Sequence, residues 1–509
     1  MEARTAAAGK ATETYPLGTG RPPLKVDDLP EPEKVFKVPT IGPKALITLV
    51  LGPALIALGL SVGSGEWILA PLAIGTEGWV GIGFVALISI LLQALYNVEV
   101  GRYVMATGEV ASLGFGRIPP GFYIGTVLAV LLFYLAFITG GWAAGAGDAL
   151  FTFFTGDIPG EEDQNTTNWL AVLLMGVVFV ITLLGRKIER TMELVNWVLV
   201  SFILITVTLA ALLLTSASDW GDGLEGMFRP ALPPEGVSAT SIGAVAGFAA
   251  MASGLNYVFM NYYRDKGYGM GSKTGYIPGL LEREKREVDP NGTTFRETPE
   301  NAGRWRRWYR FLTIEMWLIF VPGALIGILM PGILVSSLAN RSGTAPDEAT
   351  MPTYVASQLD QLGEPRIWYW WALLVGFLIL FTTQLVVFEM LVRNFVDAVY
   401  GSSARFRRAI GGDPRRFYYP FMVLLAIVIS IIIFQALPTE LLQWSANMSN
   451  LAALIMPFAL MYLLSKLPRP AKAKWWSYAI LLCVSIYFGF FFLNFLVSKI
   501  SPGSDLSFW

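Results

Sequence analysis

The sequence predicts an all-α polytopic membrane protein of about eleven transmembrane helices, built as two inverted five-helix repeats with broken helices 1 and 6. Three observations predict it. First, the 509 residues are 54% hydrophobic and only 15% charged, with a mean hydropathy of +0.54; soluble domains average ~25% charged residues. Second, the apolar residues gather into about eleven runs, each near the ~20 residues a helix needs to cross a ~30 Å hydrocarbon core. Third, the basic residues alternate between the connections on one side and those on the other.

Taken in order, the polar residues 1–44, with Pro22, Pro23, Pro30, Pro32 and mixed charge, read as a flexible cytoplasmic arm. The first apolar run follows this long polar stretch and is therefore not a cleavable signal peptide. Runs near 45–75, 80–104, 121–154, 168–185 and 190–215 make repeat one, about 45–215. Runs near 239–262, 309–338, 367–399, 417–436 and 440–465 make repeat two, about 239–465. An extra helix spans about 475–498, and 499–509 is a short C-terminal tail. The connection 263–308 is basic and Gly-rich, with no sign of a separate domain.

With the N-terminus cytoplasmic, 33 Lys and Arg fall inside, and only Arg229, Arg341, Arg366 and Lys499 fall outside. The outer connections carry acid instead: Asp157, Glu161, Glu162 and Asp163, then Asp219, Asp222 and Glu225. This is the positive-inside pattern of a multi-pass protein in the plasma or inner membrane, N-terminus in and C-terminus out. The partner implied by composition is the lipid bilayer. A net charge of −1 gives nothing for nucleic acid, and no partner protein is indicated. The one cysteine, Cys483, excludes intrachain disulfides and thiolate clusters. The absence of histidine excludes imidazole ligands, a Ser-His-Asp triad and a histidine proton relay.

Two runs are interrupted. In run 1 the midpoint reads Ser61-Val62-Gly63-Ser64-Gly65-Glu66-Trp67. Glycine weakens a helix by ~1 kcal/mol relative to alanine. An unwound segment at membrane depth is tolerated only where protein walls a cavity, and an intramembrane carboxylate is a functional-site candidate. Run 6 carries a counterpart, Met251-Ala252-Ser253-Gly254-Leu255-Asn256. Five spans per half make the halves opposite in orientation. Paired broken helices in inverted repeats mark the transport site of many secondary transporters.

These residues, with Gly52-Pro53-Ala54-Leu55, Leu91-Leu92-Gln93-Ala94-Leu95, and Ser445, Asn447, Ser449 before Met456-Pro457-Phe458, resemble the Nramp (natural resistance-associated macrophage protein) divalent metal transporters. The resemblance covers roughly 43–465 and implies a LeuT-type fold, alternating access and a divalent cation as substrate. It also shows departures. The family's D-P-G-N falls on Gly63-Ser64-Gly65-Glu66, so its metal-binding aspartate is Gly63 here. Its M-P-H falls on Met251-Ala252-Ser253 or, one residue on, Ala252-Ser253-Gly254. The family's proton-linked histidine is absent in either register.

The candidate binding set is therefore Gly63, Ser64, Glu66, Met251, Ala252, Ser253 and Asn256, with Glu66 the metal ligand. An all-oxygen shell suits Mg²⁺ or Mn²⁺, and a thioether from Met251 shifts the preference toward Mn²⁺ or Fe²⁺. Asp148, Ser449 and Gln384 are candidate proton-handling or supporting residues, Asp148 also as a second carboxylate near the external mouth. No cofactor is implied; the cation is substrate, and proton coupling through Glu66 or Asp148 stays open. Glu389 with Arg393 and Glu99 with Arg102 read as helical ion pairs. Glu315, five residues after Arg310, reads as a residue of the inner interface, and Gln384 as a cross-helix hydrogen bonder. The rival reading is the same fold carrying a small organic solute such as an amino acid, with Trp67 and Tyr257 shaping its pocket. A membrane enzyme using Glu66 and Asp148, and a non-transporting sensor, complete the alternatives.

Overall fold

The computed structural model describes residues 13–18, 21–37, 63–119, 122–184, 188–274, 291–346 and 351–501. The polypeptide forms strands β1 (Thr14–Tyr15) and β2 (Leu24–Asp27), then helices α1 (Pro32–Phe36), α2 (a π turn over Gly65–Leu69 continued by Ala70–Glu77), α3 (Ile82–Thr107), α4 (Ala111–Phe115), α5 (Phe122–Phe137), α6 (Gly141–Thr155), α7 (Gln164–Leu184), α8 (Ile188–Leu214), α9 (Ala217–Phe228), α10 (Ala239–Phe248), α11 (Asn256–Phe259) and α12 (Asn261–Asp265). Strand β3 (Thr293–Phe295) follows, then α13 (Pro299–Glu315), which runs through a π turn at Met316–Phe320 into α14 (Val321–Ser342), and α15 (Met351–Gln361), α16 (Arg366–Ser402), α17 (Ala404–Ala409), α18 (Arg415–Ile433), α19 (Pro438–Ser465) and α20 (Trp475–Ile500).

Among the described residues, eight helical stretches are long and apolar enough to cross a membrane: Ile82–Thr107, Ile124–Thr155, Glu161–Leu183, Pro299–Ser342, Arg366–Ser402, Arg415–Ile433, Pro438–Ser465 and Trp475–Ile500. The shorter Ser201–Leu214 and Ala239–Phe248 are apolar too. The beginning of run 1, including Gly52-Pro53-Ala54-Leu55 and Ser61-Val62, lies outside the described residues. Run 3 is not one continuous helix: Gly140, at φ +72°, separates α5 from α6, with Ile429 and Ile433 filling the place a Cβ would take. Exposed Leu173, Val177, Leu424, Ile427, Ile431 and Ile486 lie on the outer faces of α7, α18 and α20, as lipid-facing helix surfaces require.

Within the N-terminal arm, the described residues 13–18 and 21–37 pack against the rest of the molecule. Strand β2 pairs antiparallel with β1 and parallel with β3, at Lys25–Thr293, Val26–Thr294 and Asp27–Phe295. Arg304 donates to the Leu29 carbonyl (2.9 Å) and the Trp308 indole to the Pro30 carbonyl (2.8 Å). Arg21 is buried against Glu109 (3.1 Å). The prolines that argue for disorder leave backbone carbonyls without competing local N–H donors, and α13 supplies those donors.

On the same side, ion pairs link the helix ends. Arg102 pairs with Glu99 (2.8 Å) and also donates to the Tyr309 hydroxyl (2.7 Å). Arg393 pairs with Glu389 (2.7 Å), four residues away, and with Asp265; Arg264 joins Asp265 (2.6 Å) to Asp397 (3.3 Å). Glu315 has another surrounding than Arg310: its Oε2 accepts from the Tyr263 hydroxyl (2.7 Å) and the residue is fully buried. The helix turns Glu315 inward onto α12, whereas Arg310, five residues earlier, lies on an exposed face of α13.

Candidate functional site

The site is built where α2 meets the end of α10. Helix α10 stops at Phe248 because the next backbone leaves the helical region: Ala249 is extended and Ala250 sits at φ +68°. Residues 249–255 then form turns, closed by Ser253 N–H to Gly247 O (3.1 Å) and Leu255 N–H to Ala252 O (2.8 Å), before α11 begins at Asn256. The break expected in run 6 is therefore present. A broken helix exposes backbone donors that must be satisfied inside protein.

Glu66 satisfies them. It lies in the π turn of α2 and is 1% exposed. Its Oε2 accepts from the Gly63 N–H (2.9 Å), and its Oε1 accepts from the Ala250 N–H (2.7 Å) across the interface. One carboxylate thus joins the start of α2 to the broken end of α10. The contact is close because residue 65 is glycine: a Cβ there would lie 2.2 Å from the Phe248 carbonyl oxygen. On the far side of α10, Cβ atoms at Gly247 and Gly243 would collide with Ala446 O (2.2 Å) and Asn447 Oδ1 (2.3 Å). Glycines therefore seat α10 between α2 and α19.

The other candidates fall at several separate positions. Ser64 Oγ accepts from the Trp142 indole N–H (2.8 Å), and the rings of Trp142, Phe248 and Phe137 lie near-parallel at 5.8–6.3 Å. Ser253 Oγ accepts from Gln93 Nε2 (2.7 Å), while Asn256 Nδ2 donates to Gln93 Oε1 and to Asn97 Oδ1 (both 2.7 Å). Met251 places its sulfur 3.9 Å from Asn256 Nδ2, and Ala252 is buried in the same turn. Asn256 Oδ1 is buried with no hydrogen-bond partner. Gln384 Oε1 accepts from the Ala143 N–H (3.2 Å), the cross-helix bond expected of it. Ser449 turns its hydroxyl onto its own helix at the Ser445 carbonyl (2.9 Å); Ser445 itself meets Thr139 (2.7 Å). Asp148 lies on α6, 9% exposed, at a separate cavity. Trp67 turns edge-on to Trp371, and the Tyr257 hydroxyl donates to the Ala129 carbonyl (2.7 Å).

Gln93, Asn97, Trp142 and Ala250 were not legible as site residues. Gln93 and Asn97, four apart, share one face of α3, a polar pair in the apolar sequence that precedes Glu99. That spacing is a usable signal. Nothing in the sequence marks Ala250, whose role is its backbone N–H.

Chemically, the site offers one carboxylate, the unpartnered Asn256 oxygen, hydroxyls, main-chain carbonyls and a nearby thioether. Among the described residues, no group of three or more Cys, Asp or Glu is placed to hold a metal. A cavity of about 10 Å³ between Glu66, Trp67 and residues of α8 and α14 has room for one water at most.

No protein-family profile and no curated protein sequence matches the chain. Solved structures do. Crystal structures of two variants of a manganese transporter from Eremococcus coleocola each superpose with a TM-score of 0.56 at 14% identity, over 92% of this chain and 90% of the other. The same transporter in complex with an aromatic bis-isothiourea-substituted compound gives 0.52 at 17% identity, over 92% and 91%. The chain therefore has the all-α, LeuT-type fold of these membrane proteins.

Proposed function

We propose that this protein is a secondary transporter that carries a divalent metal cation by alternating access, with Glu66 as the principal ligand between the breaks of α2 and α10–α11. The observation that carries this reading is the Glu66 bridge, Gly63 N–H to carboxylate to Ala250 N–H. A carboxylate buried without a cationic partner is costly, and hydrogen bonds from Gly63 and from the broken end of α10 hold it in place. A cation arriving there competes with those N–H groups for the same oxygens. Its binding therefore loosens the contact between the halves, the property a transport site needs. The fold neighbours, described as manganese transporters, support the substrate class.

A single carboxylate suits an ion that keeps much of its water. Mg²⁺ is bound through one or two carboxylates plus waters, and Mn²⁺ accepts the same oxygen set. The Met251 sulfur beside Asn256 extends the range toward Fe²⁺. With the N-terminus cytoplasmic in the plasma or inner membrane, uptake follows the potential: a divalent ion gains about 4.6 kcal/mol at −100 mV. Proton coupling is then unnecessary for accumulation.

The near-parallel Trp142, Phe248 and Phe137 rings favour a second reading, the same fold carrying a small organic solute. Proteoliposome uptake decides between them. Mn²⁺ or Mg²⁺ flux that Glu66→Gln reduces at least tenfold supports the metal reading. Amino-acid flux without metal flux selects the second.

A further inference from the structure

Helices α16 and α18 are both long and apolar enough to cross a membrane, and the connection between them folds back against their ends. The Tyr400 hydroxyl donates to the Gly412 carbonyl (3.0 Å), and the Phe406 ring of α17 meets Phe417 edge-on at 4.9 Å. Phe421 stacks on Phe395 of α16 at 4.3 Å. The connection is thus a fixed corner at the membrane boundary.

This corner carries Arg405, Arg407, Arg408, Arg415 and Arg416 against a single acid, Asp413. Arg407 donates to the Tyr400 carbonyl (2.6 Å) and the Gly401 carbonyl (3.2 Å), and Arg415 pairs with Asp413 (2.8 Å). Arg405, Arg408 and Arg416 are exposed, and none forms an ion pair among the described residues. By contrast, Arg296, Arg304 and Arg307 pair with Glu13, Glu31 and Glu33 of the N-terminal arm. Arg405 and Arg408, three apart, share a face of α17. Gly411 brings Arg416 to the end of that helix. Its N–H bonds to the Arg408 carbonyl (3.1 Å), and a Cβ on it would lie 2.9 Å from Arg416 Nη1. Guanidinium forks match phosphate oxygens.

An apolar track starts at the same place. The exposed positions of α18 are Arg416, Pro420, Val423, Leu424, Ile427 and Ile431, which the helical period puts on one face. Val423, Ile427 and Ile431 also line a groove of about 650 Å³ against Trp169, Met175 and Phe179 of α7, apolar apart from Ser430 and Gln435. Gly176 leaves the groove open, since a Cβ there would meet nothing within 4 Å. Arg416 and Ile427 are eleven residues apart, roughly 16 Å, about half of the ~30 Å hydrocarbon core and so the depth of one leaflet.

We propose that this corner binds an anionic phospholipid, its phosphate held by Arg405, Arg408 and Arg416 and an acyl chain lying along α18 into the groove with α7. The basic residues assign this end to the cytoplasmic leaflet, where anionic lipid makes the surface negative. Orientation needs only that basic residues lie inside. It does not need three of them unpaired at the foot of a lipid-facing stripe. The site is independent of what the protein carries.

Native mass spectrometry of the detergent-purified full chain, equilibrated with equal amounts of phosphatidylglycerol and phosphatidylcholine, tests it. The wild type retains one phosphatidylglycerol in preference to phosphatidylcholine. Arg416→Gln weakens that retention about fivefold and the triple variant Arg405→Gln, Arg408→Gln, Arg416→Gln about a hundredfold, as expected for arginines at an anionic surface. Gly176→Leu, which fills the groove and leaves the charges alone, weakens it about fourfold for each methylene displaced. Millimolar inorganic phosphate does not displace the lipid. Exposed arginine substitutions leave the unfolding midpoint in place, so lost preference is not lost fold. Equal retention of the two lipids by the wild type, or a preference that the triple variant keeps, overturns the site. An indifferent Gly176→Leu variant, whose phosphatidylglycerol inorganic phosphate displaces, overturns the lipid in favour of a free phosphate.

Discussion

Ala250 holds a left-handed backbone, φ +68°, that costs a non-glycine residue about 1–2 kcal/mol. The neighbouring geometry enforces it, because that conformation aims the Ala250 N–H at Glu66 Oε1. Ala250→Gly removes the strain but adds about 0.4–1 kcal/mol of unfolded-state entropy. The purified variant should therefore unfold at an equal or slightly higher temperature; a clear fall would show that the strain is not real. Ala250→Val, β-branched at the same φ, should lower the midpoint. Glu66→Gln replaces one acceptor with an amide donor that faces a backbone N–H, a cost of about 1–3 kcal/mol. Its loss of flux should come with a lowered unfolding midpoint. The importance of Glu66 was legible from a carboxylate set among glycines in an apolar run. Its partner was not, because a backbone N–H leaves no trace in residue identity.

At the scale of elements, the interface between α2 and α10 depends on Gly65. A Cβ there meets a backbone oxygen at 2.2 Å, an atom that cannot rotate away. Gly65→Ala must push the two segments apart, at about 1–3 kcal/mol or more. Uptake should collapse even where the protein is inserted, and wild-type uptake by this variant would refute the described contact. The N-terminal arm is anchored by a second device. Burial pushes the Glu109 carboxyl up, but the Arg117 and Arg21 guanidiniums, with hydrogen bonds from Arg117 and Tyr103, hold it below the usual range. A carboxyl held lower when folded stabilises fully above its unfolded value of about 4.3 and loses that contribution as pH falls further. Limited proteolysis of the arm should therefore accelerate only under acid. Glu109→Gln strands two buried guanidiniums, about 3–5 kcal/mol for a broken buried pair, and should give the same cleavage at neutral pH. The arm's attachment was hidden in the sequence because its prolines and mixed charge mimic a solvated coil, whereas the contacts that order it come from Glu109, β3 and α13, long distances away in the chain.

At the scale of the molecule, the basic residues assign the connection around Asp157 to the outside and that around Arg408 to the cytoplasm. In a Cys483→Ala background, Asp157→Cys should react with an impermeant maleimide in intact cells, and Arg408→Cys only after lysis; both positions are exposed. The reverse pattern would invert the direction of the proposed transport.

The helix content, the membrane environment and the interruption of run 6 follow from local sequence, since hydrophobic length and glycine placement act within one segment. The paired Glu99–Arg102 and Glu389–Arg393 are local for the same reason: three or four residues bring them to one helix face. What only the tertiary structure decided is which atoms meet between segments: Glu66 with Ala250, Gln93 and Asn97 with Asn256, and Glu315 with Tyr263. Those contacts join residues as far as 184 positions apart. They depend on how whole helices dock, a property of shape that no single segment carries.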